Sequence, residues 1–126
     1  MLGVHVGRKL RLLLKSEETK IEKLYDMCKT FFESRGYKLI DEKPYEKLVF
    51  KGGSKFFTYI IGTHRWSKAL KTAYVTFIRG ENNIKIEVLW DVSLGAIITS
   101  PIRYAKFEIA ALVKALRAKV IGYRRT

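Results

Sequence analysis

Glutamine is absent from these 126 residues, and asparagine occurs only as the adjacent pair Asn82 and Asn83. Amides deamidate in heat while ion-pair networks weaken less there, so scarce amides beside abundant Lys and Glu point to a thermophilic source. Cysteine is almost as scarce. A lone Cys28 excludes an internal disulfide framework and a Cys-based zinc site. No apolar run approaches the ~20 residues of a membrane span, and no signal-peptide pattern opens the chain, so a cytoplasmic protein is expected. Histidine is limited to His5 and His64, without a partner at HxxxH or HExxH spacing. These absences leave no catalytic set, metal or cofactor to expect, and the chain reads as non-enzymatic.

What is present is a core and a charge. Hydrophobic residues make up 48% of the chain and aromatics 13%, so it is neither disordered nor low-complexity. The length suits a single globular domain over 1–126. The formal net charge is +13, and it is unevenly spread. Residues 1–15 carry +4, 57–80 carry +4 and 101–126 carry +6, whereas 16–36 carry −1 and 81–100 carry −2. Clustered excess charge of one sign points to an anionic partner, whereas an even spread serves solubility.

The element order follows from periodicity. Val4, Val6, Leu10, Leu12 and Leu14 alternate with polar residues and predict a strand within 4–14. Ser16 is a candidate N-cap for a helix over 17–35, with Ile21, Leu24, Tyr25, Cys28, Phe31 and Phe32 as its apolar stripe and Gly36 as its stop. Extended runs are predicted over 37–40, 47–51 and 54–61, the last two joined by a hairpin at Gly52–Gly53. A second hairpin pairs 70–79 with 84–91 through Gly80–Asn83, and 96–99 offers a short last strand. Ser100–Pro101 then starts a helix over 101–120 that ends at Gly122. The fold class is α+β: an antiparallel sheet of about five to seven strands with two helices on one face.

That order resembles a reduced helix-grip domain, in which a curved sheet wraps a long C-terminal helix. The stretch from Phe50-Lys51-Gly52-Gly53-Ser54, through Trp66 and an alternating hairpin, to Asp91, Gly95, Thr99 and Glu108 is also similar to a pattern of small uncharacterised prokaryotic α+β domains. It covers about half the chain. The resemblance implies a fold and no activity.

Cys28 lies on the helix stripe and reads as a buried, inert thiol. Glu87 and Asp91 share a strand face but lack the further oxygen ligands a divalent metal wants. The Lys51-Gly52-Gly53-Ser54-Lys55 turn is too short for a P-loop, though its lysines suit an anion. His64-Arg65-Trp66-Ser67-Lys68 sets cations beside a large aromatic in a connection, a combination that stacks on bases or anchors at a lipid interface. On the last helix Arg103, Lys106, Lys114 and Arg117 fall along one side, and Arg103 opposes the helix dipole.

The candidate nucleic-acid-binding residues are therefore Lys9, Arg11, Lys55, His64, Arg65, Trp66, Lys68, Arg103, Lys106, Arg124 and Arg125. Phosphate contacts need no sequence motif, which suits a chain with many cations and no zinc finger, RNP aromatics or KH loop. Two other classes compete. One is a carrier or sensor of an apolar ligand held between sheet and last helix; the other is a module docking on an anionic membrane or an acidic protein partner.

Overall fold

The structure is a computed structural model that describes residues 8–53, 70–92 and 105–125. Its described elements run β1 (Arg8–Ser16), α1 (Ile21–Ser34), β2 (Lys38–Lys43), β3 (Lys47–Gly52), β4 (Lys71–Arg79), β5 (Ile84–Val92), α2 (Ala105–Ala115) and β6 (Ala118–Arg125). The strands form a sheet in the order β2-β3-β4-β5-β1-β6, with every neighbouring pair antiparallel. The class is α+β, as the periodicity predicts.

Alternation fixes which face is which. Leu10, Leu12 and Leu14 on β1, Ala73, Val75 and Phe77 on β4, and Ile84, Ile86, Val88 and Trp90 on β5 are all buried on the face that the two helices cover. From α1 come Leu24, Cys28 and Phe32, and from α2 Leu112, with Leu116 just beyond it. At the centre Phe32 stacks on Phe50 at 4.8 Å between ring centroids, and Trp90 is fully buried 6.5 Å from Phe32. Each such aromatic contact adds roughly 0.5–1.5 kcal/mol beyond the area it buries.

Several expected boundaries are corrected. The first helix spans 21–34 and not 17–35, because Ser16 belongs to β1. Its hydroxyl is buried and donates to the Leu116 carbonyl at 2.7 Å while accepting from the Glu18 backbone N–H, and the helix starts only at Ile21, with Lys20 at its N-cap position. The Glu18 carboxylate instead accepts the backbone N–H groups of Thr19 and Lys20. At the other end Gly36 takes a φ of +88°, the left-handed stop that its position predicts.

The last helix is the larger error. It ends at Ala115, not 120; Arg117 turns the chain with a φ of +50°, and 118–125 is a strand along β1. Val120 therefore leaves the helical stripe. It lies opposite Leu14, and Gly122, read as a helix stop, lies opposite Leu13. The start of the 101–120 reading lies outside the described residues, as do 54–61 and 96–99. The hairpin expected at Gly52–Gly53 also changes: both edges of β3 are taken, by β2 and β4. The β4–β5 hairpin is as read, closed by Gly80 N–H donating to the Asn83 carbonyl at 2.8 Å.

Candidate functional site

The outer face of the sheet, away from the helices, collects the charge. Register fixes its rows. Asp41, Val49, Tyr74, Leu89, Arg11 and Arg124 lie side by side across all six strands of the described sheet. One row along are Lys38, Lys51, Thr72, Asp91 and Lys9. On the other side Lys43, Lys47, Thr76, Glu87 and Leu13 form the next row, followed by Ile78, Lys85, Lys15 and Lys119. Neighbouring strands stand about 4.8 Å apart, so the side chains of a row are cross-strand neighbours.

Cations sit opposite cations. Arg11 faces Arg124, Lys15 lies between Lys85 and Lys119, Lys38 faces Lys51, and Lys43 faces Lys47. Like charges directly across a strand pair are destabilising, by the few tenths of a kcal/mol to about 1 kcal/mol that such pairs are worth. Lys43 offsets this locally through Glu46 at 3.4 Å, and Asp41, Glu87 and Asp91 dilute the field. Among the described residues, the outer-face positions of β1 and β6 themselves hold no carboxylate. Tyr74 stands in the central row, 36% exposed, between Val49 and Leu89.

The sequence-derived residues divide accordingly. Lys9, Arg11 and Arg124 come together on this face. Arg125 falls in β6 opposite Leu10, with only its backbone described. Lys106 is exposed on α2, in the helix layer on the other side of the sheet, 5.3 Å from the Phe107 ring. Lys55, His64, Arg65, Trp66, Lys68 and Arg103 lie outside the described residues. The basic helix side is shorter than expected, since Arg117 sits in the turn beyond α2, 3.9 Å from Glu17. Lys15, Lys85 and Lys119 were missed. The alternation of β1 and β5 carries the first two, but Lys119 was concealed in a helix reading.

A second polar cluster lies on the helix side, where β3 ends and β4 begins. Glu108 on α2 is buried to 2% exposure. Its Oε2 accepts from the Tyr37 hydroxyl at 2.6 Å and its Oε1 from Arg35 Nε at 3.1 Å. Lys71, the first residue of β4, is also 2% exposed, with its ammonium 5.0 Å from the Tyr37 ring centre. Burial lowers the Lys71 amine to about 8, Glu108 opposes that shift, and Arg35 adds to it. Burial, then the Glu108 carboxylate, pushes the Tyr37 hydroxyl far up. With Ser34, Gly52 and Gly53 these residues line a cleft of about 280 Å³. Glu108 drew notice at sequence level only within the resemblance, and nothing in the spacing linked it to Lys71.

Cys28 is fully buried, and burial pushes its thiol up, away from thiolate chemistry. Among the described residues no helix is long and apolar enough to cross a membrane. The sequence matches no protein-family model and no curated protein.

Proposed function

We propose that this chain binds nucleic acid without catalysing a reaction, holding the phosphate backbone against the outer face of the sheet. One observation carries the reading: cations stand directly opposite cations across the strands, Arg11 against Arg124 and Lys15 between Lys85 and Lys119. Such pairs cost stability in the free protein, and a row of phosphates relieves that cost. Lys9, Arg11, Lys15, Lys119 and Arg124 supply the contacts, and Tyr74 offers a ring to an unstacked base. Arg65, Trp66 and Lys68, with Lys55, His64 and Arg103, lie outside the described residues and are candidates for the same binding by their chemistry alone.

Among the described residues, Phe32 stacked on Phe50 and a fully buried Trp90 occupy the contact between helices and sheet, which favours the nucleic-acid reading over an apolar carrier. Fluorescence anisotropy with labelled single-stranded and duplex oligonucleotides tests the proposal. Binding at low salt should weaken with a log–log slope of about −0.7 to −0.9 per phosphate contact. Trp66→Ala should cost ~1–3 kcal/mol, chiefly on single strands. No binding at low salt would overturn the reading, and binding to anionic vesicles alone would replace it with membrane docking.

A further inference from the structure

We infer that the Asn82–Asn83 turn reads a base of the bound strand, taking an unstacked amino base, adenine or cytosine, from single-stranded nucleic acid; this rests on the phosphate-binding reading above. Asn82 and Asn83 are the only carboxamides in the 126 residues, and they stand together in the turn between β4 and β5. Asparagine suits turns because it tolerates left-handed backbone and because its side chain hydrogen-bonds nearby backbone. Neither reason applies here. No residue from Gly80 to Asn83 takes a positive φ, and neither carboxamide makes a hydrogen bond among the described residues. The turn closes through backbone alone, from Gly80 N–H to the Asn83 carbonyl at 2.8 Å. Asn82 is exposed, while Asn83 is half-buried with its Oδ1 leaning over Gly80.

The surroundings suit a base whose phosphate is already held. Asn82 and Asn83 line a cleft of about 400 Å³ together with Lys15, Glu17 and Lys119. Lys15 and Lys119 are cross-strand partners and, with Lys85, form the last cationic row of the outer face. A phosphate on those lysines therefore carries its own nucleotide to the carboxamides. A carboxamide sets an N–H donor beside an acceptor oxygen. Its complement is a base edge with an amine beside a bare ring nitrogen, which adenine and cytosine present and thymine does not. Glu17 sharpens the choice. Its carboxylate, 3.9 Å from Arg117, accepts from an exocyclic amine and repels a carbonyl in the same place.

The test is fluorescence anisotropy of the whole chain with oligo-deoxyadenosine, oligo-deoxycytidine and oligo-thymidine of one length. At least one amino-base strand should bind about fivefold or more tightly than oligo-thymidine, and the stronger of the two assigns the base. Asn82→Ala should bring the three strands within about twofold of one another at an unchanged salt slope, since no phosphate contact is lost. Lys119→Ala should do the reverse, lowering the slope by about one contact on every strand while keeping the preference. Asn82 is exposed and unbonded, so its variant should unfold in urea as the wild type does. NMR adds a readout that needs no variant, because only two side-chain carboxamides contribute signals. At saturation the preferred strand should shift at least one of them further than oligo-thymidine does. Salt-dependent binding without a base preference, or a preference that Asn82→Ala leaves intact, would overturn the inference and leave the phosphate reading standing. No binding to any strand at low salt would overturn both.

Discussion

Arg11 on β1 lies directly opposite Arg124 on β6, on the sheet face away from both helices. Neither is needed for the core, and both are exposed. A cross-strand position that tolerates almost any side chain here carries the same charge twice. Lys15 repeats the arrangement between Lys85 and Lys119. Stability alone does not select that pattern, since one Glu in either pair would turn repulsion into attraction.

The tie between the end of β1 and the end of α2 should prove important for stability. Ser16 Oγ donates to the Leu116 carbonyl, a contact between residues 100 apart in sequence, and the hydroxyl is buried. Ser16→Ala leaves that carbonyl without its partner, and should cost ~1–3 kcal/mol in urea unfolding. A change below a few tenths would show that water replaces the hydroxyl.

Gly52→Ala should destabilise the fold by ~1–3 kcal/mol through overpacking. The added methyl would lie 2.9 Å from the Tyr37 ring, which is itself pinned by its bond to Glu108. Tyr37→Phe in the same background should recover little of the loss, because it frees the ring only by breaking that bond. Thermal denaturation of both variants measures this.

Much of this was readable in the sequence, and the failures share a cause. The stripe from Ile21 to Phe32 and the alternation from Ile84 to Trp90 are long and regular, and both gave the right element. The segment from Leu112 to Val120 also fits a helical period, but Leu112, Val113 and Leu116 pack on the core while Val120 is exposed in β6. Arg117 breaks the helix in a left-handed conformation that a non-glycine residue does not advertise. The β-branched pair Val120–Ile121 followed by Tyr123 was the available strand signal, outweighed by the apolar residues before it. Ser16 has the chemistry of a cap and was read as one; its real partner, Leu116, lies too far along the chain for local reasoning. The cationic rows needed strand order as well as alternation. No sequence pattern shows that β1 sits between β5 and β6.

Lys71 should leave a signature in the pH dependence of stability. Its amine is lowered to about 8 in the fold, chiefly by burial, against ~10.4 in an unfolded chain. Between these values the unfolded state binds more protons than the folded one, so this group's contribution to stability rises with pH from about 8 to ~10.4. Below that window the fold bears the full cost of holding the charge in the cleft. Lys71→Met should flatten the stability profile over the window while leaving pH 5–7 parallel to the wild type. An unchanged slope above pH 8 in Lys71→Met would show that the amine titrates normally.

The central claim is that the outer face sacrifices stability to hold a polyanion, and Arg124→Glu tests it most directly. The substitution sets a carboxylate opposite Arg11 on an exposed edge strand, so stability and binding should move in opposite directions. Urea unfolding should show a gain of a few tenths to about 1 kcal/mol. Oligonucleotide binding, measured on the same preparation across a salt series, should weaken, with its slope reduced by about one contact or more. Loss of stability together with unchanged binding would contradict the account.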